Sequence, residues 1–166
     1  MTHPYPPHHP RLPYLGRHHY FLTFVTDARR PVFLTADTVD LVWRQIANAA
    51  ARHRMEITAY CFMPDHLHLT VNGLHEASDC KAFIKAAKQY SGYHFGLNHR
   101  CRLWQRYCFE RVLRDARECA LAIGYIVANP VRSGLVEHPS EYPHLGSQRY
   151  QLHELLEICE YRDGWS

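Results

Sequence analysis

The chain has 166 residues, of which 46% are hydrophobic and 21% charged, with a formal net charge of +3; that is one ordinary soluble domain of about 100–200 residues, able to bury enough surface to hold a core without staples. Six cysteines with no C-x-x-C spacing argue against a zinc finger or dithiol redox motif. The longest apolar run, Cys119 to Ala128, is too short to span a bilayer, and the polar N-terminus does not read as a signal peptide, so a reduced, cytoplasmic protein with no membrane partner is expected.

Residues 1–16 are rich in proline and histidine and read as an extended arm. His3, His8, His9, His18 and His19 could bind metal there, though such a cluster is also what a flexible proline-rich arm carries. Tyr20 to Thr26 is aromatic and β-branched, which predicts a strand. Thr35 or Asp37 can cap a helix to about His53, with Val39, Val42, Trp43, Ile46 and Ala50 on one stripe. Glu56 to Met63 and His66 to Val71 read as two strands joined through a turn at Pro64-Asp65.

Ser78 or Asp79 then caps a helix to about Phe95, with Phe83, Ala87 and Tyr90 facing the core and Lys81, Lys85 and Lys88 on the opposite stripe. Gly92, Gly96 and the following NHRCR stretch predict a loop, and Trp104 to Leu113 a fourth strand. Asp115 caps a helix that should end at Asn129-Pro130, because a residue before proline resists the α region. The remainder reads as loop, with a short helix near Gln151–Tyr161.

The order βαββαβα, with helices returning over one face, predicts an α+β fold: a ferredoxin-like antiparallel sheet with helices packed on it. The expected organisation is an arm over 1–16, a catalytic domain over 17–147 and a C-terminal tail over 148–166.

Charge is unevenly spread. Between Ser78 and Arg114 eight basic residues stand against two acidic ones, whereas from Ser133 onward two basic residues stand against six acidic ones. A basic middle suits a face for a polyanion, and equally an uneven but ordinary surface.

The chemistry concentrates in His66-Leu67-His68. Side chains alternate along a strand, so His66, His68 and Thr70 share one face while Leu67, Leu69 and Val71 enter the core. Two imidazoles so spaced can reach one divalent cation; two surface histidines on a half-exposed strand would share the spacing. Tyr125 and Asn129 lie at i and i+4 and share a helix face. That pair could set a hydroxyl beside a metal, or be a core aromatic and a helix-terminal amide.

Four ordered segments carry a resemblance: Ala59-Tyr-Cys-Phe-Met-Pro-Asp-His-Leu-His-Leu-Thr-Val71; Arg29-Arg-Pro-Val-Phe33; Trp104-Gln-Arg-Tyr-Cys-Phe-Glu110 with Arg114-Asp115; and Tyr125-Ile-Val-Ala-Asn-Pro-Val131 with Gly134-Leu-Val136 and Tyr142-Pro143. Over residues 17–147 the chain resembles the REP-associated subgroup of the single-tyrosine transposases, whose HUH motif is two histidines around a bulky apolar residue. The resemblance implies that His66 and His68 are metal ligands, that Tyr125 is the nucleophile and that Asn129 is the third ligand, where related transposases carry Gln. Arg111 departs from the pattern, since relatives often carry His there, so neither it nor Glu110 is given a role.

The implied activity is metal-dependent cutting and rejoining of single-stranded DNA through a 5′-phosphotyrosine intermediate, on DNA that folds as a hairpin. A tyrosine hydroxyl, with an ordinary pKa near 10, is a weak nucleophile at neutral pH and needs help from a cation at the phosphate. A mixed nitrogen and oxygen ligand set suits Mg²⁺ or Mn²⁺, with Zn²⁺ admissible. Lys81, Lys85, Lys88, Arg100, Arg102 and Arg106 are the expected DNA contacts. No Gly-rich phosphate loop is present, so no nucleotide cofactor is expected, and the chain should act as a monomer or homodimer. Two other readings share these residues: a metal phosphoesterase that uses water, and a nucleic-acid-binding module that has lost cutting.

Overall fold

A computed structural model describes residues 12–161. The described elements are β1 (His19–Val25), α1 (Ala36–Arg52), β2 (Met55–Met63), β3 (His66–Gly73), α2 (Cys80–His99), β4 (Phe109–Leu113), α3 (Ala116–Arg132), β5 (Leu145–Gly146) and α4 (Leu152–Ile158). They form an α+β fold on a five-stranded antiparallel sheet in the order β4-β1-β3-β2-β5. The first four strands thus take the 4-1-3-2 order of the expected ferredoxin-like plan, and β3 runs through the middle.

Local signals start the helices where the sequence places them. The side chains of Thr35, Asp79 and Asp115 accept hydrogen bonds from the backbone N–H groups of Thr38, Ala82 and Glu118, so each satisfies an otherwise orphaned donor. α1 buries Val39, Val42, Ile46, Ala49 and Ala50. With Phe83 and Ala87 of α2, it covers the sheet face that presents Tyr20, Leu22, Phe24, Leu67, Leu69 and Val71.

The opposite face is covered as well, by α3 and α4 rather than by solvent. There Ala59, Cys61 and Met63 of β2 pack with Ile123, Ile126, Val127 and Leu155. A bulge between Ile57 and Ala59 allows this, because the extra residue switches which side chains of β2 face which layer. The helices therefore lie on both faces, not one.

Three boundaries differ from the sequence reading. α2 does not stop near Phe95 but runs through Gly92 and Gly96 to His99, where Arg100 in the left-handed region closes it with its N–H on the Gly96 carbonyl. The two glycines inside the helix cost about 2 kcal/mol together, which the burial of Phe95, about 1.5–3 kcal/mol, offsets. In the same stretch Ser91, not Tyr90, takes the inward position: its Oγ accepts from Trp104 Nε1 at 2.8 Å, and Tyr90 is exposed beneath the Arg52 guanidinium.

The strand expected over Trp104–Leu113 is shorter. Trp104 bridges to Thr26, and pairing with β1 resumes only at Phe109. Between them Lys88 Nζ holds the chain, donating to the carbonyls of Gln105 and Arg106 at 2.7 and 2.9 Å. Finally, α3 passes through Pro130 and ends at Arg132. Proline falls here in the last turn, and Ser133 N–H still closes onto the Asn129 carbonyl at 3.0 Å.

Of the expected arm, residues 1–11 with His3, His8 and His9 lie outside the described residues. Tyr14 to Gly16 runs along the start of α2: Gly16 N–H donates to the Ser78 carbonyl, and Cys80 N–H to that of Tyr14, both at 2.9 Å. The short helix expected near Gln151–Tyr161 is α4. Among the described residues no helix is long and apolar enough to cross a membrane.

Candidate active site

The middle strand brings His66 and His68 to the α3 side of the sheet. Their cross-strand partners, Met63 and Cys61, belong to the core beneath α3. The two rings sit 4.6 Å apart. His68 is only 5% exposed, so it is no surface histidine. Phe21 stacks against it at 5.5 Å, and the ring of Tyr125 from α3 meets it edge-on at 5.2 Å. Tyr125 itself is 41% exposed, and the Arg132 guanidinium lies 5.5 Å over its ring. The structure therefore assembles His66, His68 and Tyr125 from a strand and a distant helix.

Each histidine uses one nitrogen to anchor itself. His68 Nδ1 is 2.8 Å from Thr23 Oγ1, and His66 Nδ1 is 2.6 Å from Asp65 Oδ1. The far carboxylate oxygen of Asp65 accepts from Arg29 Nη1 at 2.9 Å. His68 Nε2 is fully buried without a hydrogen-bond partner. Leaving a buried polar group unsatisfied costs about 1–3 kcal/mol, so this atom calls for a physical account. Burial, and then the neighbouring His66, push the His68 pKa down to about 3, partly offset by Asp65. The imidazole is thus neutral near pH 7. In the tautomer that donates from Nδ1 to Thr23, Nε2 carries a lone pair, the form that binds a metal ion.

The donor set fits a divalent cation in part. No three of the described His, Cys, Asp and Glu residues could hold a metal together, so a third protein ligand would have to be of another type. Asn129 follows Tyr125 by one helical turn and is 8% exposed; its Oδ1 accepts from Ser133 Oγ at 3.4 Å, and it does not line the cleft.

That cleft has a volume of about 860 Å³ and is lined by Thr23, Arg29, His66, His68, Arg106 and Tyr125, among others. A second groove of about 460 Å³ shares Arg106, Tyr107 and Cys108 with it and is lined by Lys81, Lys85 and Lys88. Lys81 and Lys85 are exposed, whereas Lys88 is half-buried, and its burial lowers its pKa. Arg102 Nε donates to the Trp104 carbonyl, and Arg106 lies over the Tyr107 ring. Arg100 is the exposed C-cap of α2.

The family model described as "Transposase IS200 like" matches residues 15–115. The chain belongs to this family. Among curated relatives, the REP-associated tyrosine transposase of Escherichia coli is 24% identical over 124 residues, covering 75% of this chain and 73% of the relative. A Haemophilus influenzae protein named for the same group is 29% identical over 143 residues, covering 78% and 80%. In fold, the chain resembles a REP-associated tyrosine transposase solved bound to a REP hairpin, with a TM-score of 0.73 at 22% identity over 94% of this chain and 89% of that one. A transposase structure from Deinococcus radiodurans aligns with a TM-score of 0.50 at 20% identity, covering 65% and 88%. The resemblance to REP-associated tyrosine transposases is thus borne out, as is the transposase class.

Sequence reasoning did not find Thr23, Asp65, Arg29 or Arg132. Two signals were available. Asp65 directly precedes His66, and Arg132 stands seven residues after Tyr125 on the same helix face. Thr23 could be found only once the pairing of β1 with β3 set it opposite His68.

Proposed function

We propose that this family member is a metal-dependent endonuclease and strand transferase for single-stranded DNA, working through a 5′-phosphotyrosine at Tyr125 on hairpin-forming repeat DNA. The observation that carries the reading is the buried, unpartnered Nε2 of His68 beside His66 and the Tyr125 ring. A DNA hairpin as substrate is supported by the solved relative of like fold, which was bound to one.

His66 and His68 would hold Mg²⁺ or Mn²⁺ through nitrogen; for the Asn129 amide oxygen to be the third ligand, its side chain would have to leave Ser133 and turn into the cleft that it does not line here. When bound, the cation polarises the scissile phosphate and stabilises charge that develops there. The chain's own groups do the rest. Tyr125, exposed at the cleft, attacks phosphorus through its hydroxyl oxygen and loses its proton; the 3′-oxygen departs and takes up a proton as a 3′-OH. One phosphodiester is exchanged for another, so a 3′-OH can attack the tyrosyl ester and rejoin strands without ATP. Arg132, Arg29 and Arg106 place positive charge around the approaching phosphates. Lys81 and Lys85 extend that charge along the neighbouring groove.

The test is incubation with hairpin-bearing single-stranded DNA and Mn²⁺, followed by a denaturing gel. A covalent adduct absent from Tyr125→Phe is expected. Cut product with no adduct at any time point would indicate the water-using phosphoesterase instead. Cleavage insensitive to EDTA would sink the metal role.

A further inference from the structure

We infer that Asp65 and Arg29 are positioning residues that hold His66 with its Nε2 turned into the cleft as the second donor of a cation site. The inference rests on the metal reading above. The two histidines are fixed by different means. His68 is wedged by burial, by Phe21 and by Thr23. The His66 side chain is 20% exposed, so packing constrains it less, and the Asp65 carboxylate at 2.6 Å takes over that task. An imidazole that donates from Nδ1 presents its lone pair at Nε2, and a carboxylate acceptor on Nδ1 makes Nε2 a stronger donor.

Asp65 is in turn aimed from both ends. Its backbone carbonyl accepts from Thr26 N–H at 3.0 Å. Its second carboxylate oxygen accepts from Arg29. Arg29 reaches it from a strained turn: Ala28 and Arg29, with φ of 54° and 51°, both occupy the left-handed region without being glycine. Such a residue costs about 1–3 kcal/mol. The turn is exposed at both positions, so core packing does not demand the strain. Hydrogen bonds from Asp27 N–H to the Leu103 carbonyl at 2.8 Å and from Thr26 Oγ1 to the Arg30 carbonyl at 2.8 Å hold it instead. What the strained turn delivers is a guanidinium at 2.9 Å from the carboxylate that anchors His66.

The test uses the full chain without DNA. Mn²⁺ uptake is followed by the loss of the free-ion electron paramagnetic resonance signal, and the His66 tautomer by ¹⁵N NMR of the metal-free protein. Asp65→Ala should weaken Mn²⁺ binding by about 10–100-fold and shift His66 away from the Nδ1–H form. The urea midpoint should hold, since the turn is carried by the Asp65 backbone carbonyl. Asp65→Asn should weaken binding less: its amide oxygen can still accept from His66, but its NH₂ then opposes Arg29. Arg29→Gln should weaken binding severalfold in the wild-type background and not at all when added to Asp65→Ala, because Arg29 acts through Asp65. Wild-type uptake that Asp65→Ala leaves unchanged, with the tautomer also unchanged, overturns this inference alone. A wild-type chain that takes up no Mn²⁺ overturns the metal reading and this inference with it.

Discussion

Replacing His68 by phenylalanine tests whether the buried nitrogen is kept for function at the expense of stability. Phenylalanine keeps a flat aromatic ring, one atom larger, that can stack on Phe21, and it has no unpartnered nitrogen in place of Nε2. Removing that unsatisfied atom contributes about 1–3 kcal/mol. The change also deletes the bond to Thr23 Oγ1, but Thr23 lines the cleft and can turn to water, so the loss is about 0.5–1.5 kcal/mol. The variant should therefore be more stable than wild type by about 1 kcal/mol at pH 7, a rise in Tm of about 2–4 °C for a chain of this size. Acid should widen the gap. The His68 pKa is about 3 in the folded chain, below the ordinary value near 6.5. Between those values the unfolded chain binds the proton that the folded chain refuses, so wild type loses stability as pH falls from about 6.5 towards 3. The loss is about 1.4 kcal/mol per unit at most, and phenylalanine escapes it. Urea titrations at pH 7, 6, 5 and 4 in EDTA measure both effects. Mn²⁺ should then stabilise wild type and leave the variant unmoved. A variant less stable than wild type at every pH, or a gap that does not grow on acidification, would refute the reasoning.

The remaining predictions concern the tyrosine and the basic groove. Tyr125→Phe keeps the ring contacts with His68 and Phe21, so it should unfold at the wild-type temperature and bind hairpin DNA normally while forming no adduct; a persisting adduct would exclude this nucleophile. Lys81→Ala with Lys85→Ala should lower the dependence of log binding constant on log salt by about 1.4, near 0.7 per lost phosphate contact on a single strand, as read by fluorescence anisotropy across a salt series. Lys88→Met should instead lower Tm, because it removes two charge-assisted bonds to carbonyls that shape the cleft wall, about 3–6 kcal/mol together before the cost of burying the ammonium is set against them.

What the sequence disclosed is what short-range chemistry decides. Caps at Thr35, Asp79 and Asp115 mark helix starts because a side-chain oxygen can reach an orphan N–H within the first turn. Alternation on β3 put His66 and His68 on one face whatever lay above them, and the four-residue step from Tyr125 to Asn129 needed only helical geometry. The misread boundaries are those where distant packing overrules a local preference. Phe95 and the Ser91–Trp104 contact draw α2 through two glycines, and nothing near Gly92 in sequence reports that Trp104 will be there. Helical spacing makes Lys81, Lys85 and Lys88 equivalent, because a stripe carries no sign of the carbonyls that meet only Lys88.

The burial of the histidine face belongs to the same class, and it bears most on function. A strand sequence cannot tell whether its second face meets water or a helix. Here α3 covers it, and the cover removes water from His68, keeps it neutral and sets the Tyr125 ring beside it. The helix that supplies the proposed nucleophile is thus the same element that prepares the proposed ligand. A change that lifts α3 from the sheet, such as Ile126→Asp beneath it, should therefore raise the His68 pKa towards its ordinary value and abolish adduct formation together, although Ile126 touches no substrate. Histidine NMR titration and the adduct gel read the two effects separately, and loss of one without the other would break the link.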